Sequence, residues 1–292
     1  MYAVMGLTGQ VGSAVANHLL AQGKQVRGIV RSPEKATAWS ARGAELATAN
    51  YDDAIALSAA FRDVEGVFAM IPPYFAPSPD FREVRAVISA LHSALHDALP
   101  RRVVYLSSVG AQQTSGIGLI TALHMLEESL DTLPVPTAAL RAGWFMENSA
   151  WDVAPAREQG KLYSFLQPLD HTFALVSTND IGQAGAQTLL EDWTGHRRIE
   201  VAGPRRYSPN DIVTAFSSAL GKPIEAVAVP RDTWVTTFVA QGTAEDRTAP
   251  RIEMLDAFNS GWIDFGVPGA DRFAGTTELY TVIQTLCAAS VQ

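Results

Sequence analysis

The stretch Gly6-Leu7-Thr8-Gly9-Gln10-Val11-Gly12 constrains this chain more than any other. It follows the apolar run Tyr2-Ala3-Val4-Met5 and opens onto Ser13-Ala14-Val15-Ala16-Asn17-His18-Leu19-Leu20. That order reads as a buried strand, a tight turn and an amphipathic helix. Glycine in the turn permits positive φ and lets an anion approach the main chain without meeting a Cβ. The helix behind it offers unpaired N–H groups to the same anion. The spacing G-x-x-G-x-x-G is a near relative of the dinucleotide fingerprint G-x-G-x-x-G. Glycine-rich turns are common, so the triplet alone is weak. The strand before and the helix after make it specific, against the bland reading of an ordinary βα turn.

Alternation of strand and helix continues. Residues 24–30 read as a second strand ending at Arg31-Ser32-Pro33, with Pro33 opening the next helix and Ser32 as its cap. In a dinucleotide fold the residue ending this strand meets the adenosine ribose, a carboxylate suiting a free 2′-hydroxyl and a cation a 2′-phosphate. Arg31 stands there and no acid appears before Glu34, so NADP(H) is expected over NAD(H). A solvated surface arginine is the alternative. Residues 44–47 read as a third strand and 53–61 as a helix. Residues 66–71 form the continuous apolar run of a strand buried on both faces, and it stops at Pro72-Pro73-Tyr74. A helix over 81–99, a strand over 102–106, a helix over 118–133 and a strand over 137–141 complete the series.

Such alternation implies right-handed βαβ units, hence an α/β fold with a Rossmann-type doubly wound parallel sheet. Ligands of such sheets sit at the carboxyl ends of the strands. The expected division is a Rossmann domain over residues 1–150, with a return contribution from about 171–203, and a smaller C-terminal α+β substrate lobe over 151–292. Within the lobe, 179–191 and 208–220 read as helices and 198–201 as a strand.

Composition removes several function classes. A net charge of −8 opposes nucleic acid as a direct partner. The single cysteine, Cys287, permits neither an intramolecular disulfide nor a thiolate metal cluster. No basic segment precedes a hydrophobic stretch at the N-terminus, and no apolar run nears the ~20 residues that span a bilayer. A cytoplasmic protein without membrane contact is expected, and a homodimer is compatible with it. His92 and His96 lie four apart with Asp97 nearby, yet no H-E-x-x-H is present and no metal is expected. A serine-hydrolase elbow and a Walker lysine motif are also absent.

Several stretches together resemble the NmrA-like branch of the atypical short-chain dehydrogenase/reductase superfamily. They are the glycine loop, Val30-Arg31-Ser32-Pro33, Ser107-Ser108-Val109-Gly110-Ala111 and Leu140-Arg141-Ala142-Gly143-Trp144-Phe145-Met146-Glu147-Asn148. Asn179-Asp180-Ile181-Gly182 and Val201-Ala202-Gly203-Pro204 extend the match, which weakens after about residue 230. The resemblance implies NAD(P)H-dependent reduction of quinones, azo dyes or triarylmethane dyes, or else a non-catalytic NADP(H)-binding redox sensor that docks a partner protein. It implies cofactor contact by Gly6, Thr8, Gly9, Gln10, Val11 and Gly12, by Arg31, by the backbone around Ile71 and Pro72, and near Ser107. Trp144, Phe145 and Asn148 would face the substrate pocket, with Tyr74 at its edge. Asn50 departs from the aspartate that relatives often carry near the adenine.

Short-chain dehydrogenases usually protonate an alkoxide through a Tyr-x-x-x-Lys pair. Lysine occurs here only at positions 24, 35, 161 and 222, and none follows a tyrosine by four. What remains is Ser107 or Ser108, His124 and Glu127. His124 is the expected proton donor because an unperturbed imidazole titrates near neutrality; a packing role is its alternative, and a structural turn is that of the serines. Reducing a quinone or a delocalised dye makes a weakly basic product, so positioning in a dry pocket suffices. Trp144, Phe145, Trp151, Tyr163 and Phe165 are candidate walls for a small aromatic acceptor such as a quinone.

Overall fold

Short runs rich in valine, alanine and leucine build the central sheet, and the glycines and prolines between them set where each run stops. The computed structural model describes residues 1–289. Its first half comprises β1 (Tyr2–Met5), α1 (Gln10–Ala21), β2 (Val26–Val30), α2 (Thr37–Ser40), β3 (Glu45–Thr48), α3 (Ala54–Phe61), β4 (Gly66–Ala69), α4 (Arg82–Ala98), β5 (Val103–Ser108), α5 (Thr121–Leu130), β6 (Thr137–Ala142) and β7 (Trp144–Phe145). Then follow α6 (Val153–Gln159), β8 (Lys161–Ser164), β9 (Phe173–Val176), α7 (Thr178–Leu190), β10 (His196–Ala202) and β11 (Arg206–Tyr207). The chain continues through α8 (Pro209–Leu220), β12 (Glu225–Ala228), α9 (Trp234–Ala240), α10 (Ala249–Ser260), β13 (Asp271–Ala274) and α11 (Leu279–Ala289).

Eight strands form one sheet in the order β13-β10-β6-β5-β4-β1-β2-β3, and all its pairings are parallel. The winding direction reverses between β1 and β4, which share a register of Tyr2 with Gly66 and Val4 with Phe68. A reversal of this kind leaves a crevice outside the strand ends. Helices α3, α4 and α5 cover one face, through Leu57, Phe61, Leu91 and Leu126. Helices α1 and α7 cover the other through Val15, Leu19, Ile181 and Leu189. A third cluster, centred on Phe216, Trp234 and Phe238, holds the C-terminal elements together. Two small sheets, β11-β9-β7 and β12-β8, belong to that part.

The fold is the doubly wound α/β architecture expected, with local corrections. Ser32 sits at the cap position but makes no side-chain cap bond, and Pro33–Ala36 is a 3₁₀ turn rather than the start of a helix. The helix expected over 81–99 is one residue shorter at each end, because Phe81 and Leu99 are both left-handed, at φ 54° and 47°. Arg102 does not extend β5. Its buried guanidinium instead donates to the carbonyls of Leu189 and Glu191 and pairs with Asp192, tying the sheet to the end of α7. Strand β13, unforeseen, joins β10 at the sheet edge, so residues on both sides of position 150 build the sheet. No helix among the described residues is long and apolar enough to cross a membrane.

One buried carboxyl carries a stability consequence. Asp152 ends the turn Met146–Asp152, which packs against α11. Burial, with no hydrogen bond or ion pair to its carboxyl among the described residues, pushes it up from 3.8 to about 7. The folded protein therefore holds this proton at pH values where the unfolded chain has lost it, and stability falls as pH rises through that window. Thermal melts of Asp152→Asn against the parent should show a gain in Tm that grows from about pH 4 to about pH 7 and then levels off. A gain independent of pH would contradict the assignment.

Candidate active site

The turn after β1 is built for close approach. Gly6 is left-handed at φ +68° and its carbonyl accepts the Gly9 N–H at 2.8 Å. A Cβ on Gly12 would overlap the carbonyl oxygens of Met5 and Gly6, so glycine alone lets α1 start this near to β1. The first turn of α1 holds no acidic residue, and Gly9 contributes no side-chain cap. Its end therefore keeps N–H groups and a positive dipole for an external anion.

Over this turn lies a cleft of about 560 Å³ at the switch point. Gly6, Thr8 and Gly9 form one wall, Arg31, Asn50, Tyr51 and Asp52 a second, and Met70 with Pro72, Pro73 and Tyr74 a third. Gln10 is exposed at the start of α1, and Val11 and Gly12 are buried behind the loop. Ile71 is buried beneath the third wall. Arg31 is exposed and makes no hydrogen bond or ion pair among the described residues. Burial raises the Tyr51 hydroxyl above its ordinary 10.0 while the nearby Arg31 charge opposes the rise. Burial likewise raises Tyr74, helped by the charges of Glu83 and Asp52.

Ser107, His124, Trp144, Phe145 and Asn148 do not line this cleft. Ser107 is buried and its hydroxyl donates to Glu127 Oε1 at 2.5 Å. The same carboxylate receives Arg141 through two bonds, at 2.9 and 2.6 Å, and Arg198 at 3.0 Å. Arg198 also binds Asp131. Ser107 and Arg141 face each other across β5 and β6, so this network clamps α5 onto three strands. His124 lies one turn before Glu127 on α5. Its Nδ1 hydrogen-bonds the Ala111 carbonyl at 2.9 Å, so that nitrogen carries the hydrogen. Its Nε2 lies 3.5 Å from Glu128 Oε1.

The aromatic walls are only partly assembled. Trp144 meets Phe258 edge-on at 5.2 Å. Phe145 packs into the cluster over the sheet, and Asn148 is exposed. Glu147, beside it, accepts the Thr178 N–H and hydroxyl at the start of α7, and burial holds its carboxyl above the usual range. Trp151 is 81% exposed, and Tyr163 points its hydroxyl at Gln159, 3.0 Å away, so neither encloses a ligand. Phe165 lies against Phe238 and Trp234 at 5.1 and 5.6 Å. His92 bonds Thr132 at 2.9 Å and stacks on His96. Sequence reasoning did not pick out Tyr51 and Asp52 as cleft residues, nor the Glu127–Arg141 pair. A lone arginine in the otherwise apolar run 138–142 was the available signal for the pair, since a buried guanidinium demands a carboxylate.

A parallel sheet wound both ways, with a glycine-walled cleft at its reversal, defines an α/β protein of the Rossmann type. The model of the NmrA-like family matches residues 2–259, and the chain belongs to that family. It is 27% identical over 230 residues to the NAD(P)H azoreductase of Xenophilus azovorans, covering 78% of this chain and 77% of that protein. It is also 27% identical over 227 residues to quinone oxidoreductase 2 of Escherichia coli, with 77% and 76% covered. The triphenylmethane reductase of Citrobacter sp., solved with NADP(H), superposes with a TM-score of 0.80 at 20% identity, over 98% of this chain and 99% of that one.

The clamp has a measurable weight. Removing one partner of a buried ion pair leaves an uncompensated charge, so Glu127→Ala should lower stability in urea unfolding by about 3–5 kcal/mol. A loss below about 1 kcal/mol, the worth of a surface pair, would contradict a clamping role.

Proposed function

We propose that this protein is an NADPH-dependent reductase that delivers hydride to a small aromatic acceptor, a quinone foremost. The observation that carries the reading is the cleft at the switch point, walled by the glycine loop, the unpaired Arg31 and residues 72–74. Its size and donors fit the cofactor. Backbone N–H groups at residues 10–12 suit a pyrophosphate, Arg31 suits a 2′-phosphate, and Tyr51 offers a ring beside the adenosine. The named relatives that reduce azo compounds and quinones support the same class of acceptor.

Bound NADPH supplies a hydride, two electrons and one hydrogen nucleus, and the acceptor takes one further proton to become a hydroquinone. The chain's own residues orient and exclude water. Residues 72–74 would hold the nicotinamide side of the cleft, and Trp144, edge-on to Phe258, is the wall proposed for the acceptor ring. A hydroquinone anion is a weak base, so the demand on a proton donor is small. His124 meets that demand through Nε2, because Nδ1 is fixed to Ala111. The buried hydroxyl of Ser107, donated to Glu127, positions α5 rather than touching the acceptor.

Anaerobic mixing with NADPH and a quinone panel tests the reading. Loss of nicotinamide absorbance coupled to quinone reduction is expected. Cofactor binding without absorbance loss across the panel would favour a non-catalytic redox sensor. Arg31→Ala should weaken NADPH by about 10- to 100-fold, the worth of one charge-assisted contact, and NADH by less than about threefold. Equal losses would remove Arg31 from the 2′-phosphate.

A further inference from the structure

Most arginines of this acidic chain are neutralised on the spot. Arg101 meets Glu65, Arg206 meets Asp264, and Arg231 meets Asp256 in a two-bond pair. Arg247 and Arg251 are exceptions. Both are half-buried, and neither lies within ion-pair distance of a carboxylate among the described residues. Arg247 donates to the Ala76 carbonyl at a long 3.4 Å. The carboxylate whose field it feels, Glu83, is already bound to the N–H and hydroxyl of Ser78. Arg251 lies 4.1 Å above the Phe238 ring and reaches only the Gln241 amide oxygen, at 3.3 Å. Burial pushes this guanidinium below its ordinary range, and no acidic neighbour offsets the cost.

Their position gives the imbalance meaning. Residues 247, 251, 254 and 258 recur at i, i+4, i+7 and i+11, the spacing of one face of α10 and the turn before it. At one end of this stripe Arg247 touches the loop after β4, whose residues 72–74 wall the cleft. At the other end Phe258 meets Trp144, just past the end of β6. Between them, α10 is held to the turn before α5 by Glu253, which accepts the Gly118 N–H at 3.1 Å. Helix α10 thus runs from the β4 loop to the β6 end, packed on the turn before α5. The stripe is cationic at its β4-loop end and apolar at its Trp144 end.

Resting on the reductase reading, we infer that the acceptor is an aromatic ring bearing an anionic substituent, a sulfonate, carboxylate or phosphate, held by Arg251 and Arg247 while Met254, Phe258 and Trp144 cover the ring. The guanidinium forks match the oxygens of such groups. Hydride transfer is unchanged by this; the arginines select and orient the acceptor.

The experiment compares a neutral naphthoquinone with the same ring carrying a sulfonate. The parent protein should favour the sulfonate in kcat/KM by about tenfold or more, the worth of one or two partly solvated charged contacts, and raised salt should shrink the preference. Arg251→Gln and Arg247→Gln should each reduce that preference, chiefly through KM, while leaving NADPH affinity intact. In parallel, calorimetry of the protein saturated with NADP⁺ should show naphthalenesulfonate binding that both variants weaken. This arm separates the two readings. Sulfonate binding that depends on the arginines, without turnover of any quinone, would sustain the anion subsite and remove the reductase. Turnover of the neutral ring with no preference for the sulfonate would overturn the subsite alone. A preference that survives in both variants would overturn it as well, leaving Arg247 a latch on the Ala76 loop and Arg251 a cover for Phe238.

Discussion

Everything in this molecule depends on how closely α1 starts to β1. At Gly12 there is no room for a Cβ beside the carbonyls of Met5 and Gly6, and Gly6 must be left-handed for the chain to turn there. This close contact brings the free end of a helix to the reversal point of the sheet, where β4 departs on the other side of β1. The remaining cleft walls are additions to that arrangement: Arg31 closes β2, Asn50 to Asp52 follow β3, and the prolines follow β4. A single methyl at Gly12 would push the helix away and separate these parts.

The opposite half of the strand edge is organised by charge. Glu127 takes bonds from Ser107, Arg141 and Arg198, so α5 is fixed to β5, β6 and β10 by one carboxylate. Such a pair adds little net stability over apolar packing, but it is costly to break. It also sets where His124 stands, one turn earlier, with Nδ1 anchored to Ala111. A side chain that reads in isolation as a catalytic serine is therefore part of the support for another residue.

Much of the sheet could be read from the chain. Valine- and alanine-rich runs separated by helix-length segments allow little else than parallel strands, and the glycine loop marks the cleft. Boundaries failed where a single residue decided them. Phe81 and Leu99 end α4 by adopting positive φ, which neither residue type advertises. Strand β13, of sequence Asp-Arg-Phe-Ala and largely exposed, carries no hydrophobic alternation, so only its neighbour β10 explains it. The site was half legible for the same reason. The glycine loop, Arg31 and residues 72–74 are local features of strand ends. Tyr51, the Glu127–Arg141 pair and the stripe on α10 depend on contacts between segments far apart in the chain. Trp151 and Tyr163 had the right chemistry for a ring pocket, but they face outward.

The most direct measurement is isothermal titration of the pure, folded protein with NADPH. Saturable heat with one coenzyme per chain is expected of the glycine-walled cleft. Absence of heat with either nicotinamide coenzyme, reduced or oxidised, would contradict it, since the end of α1 would then be an ordinary turn.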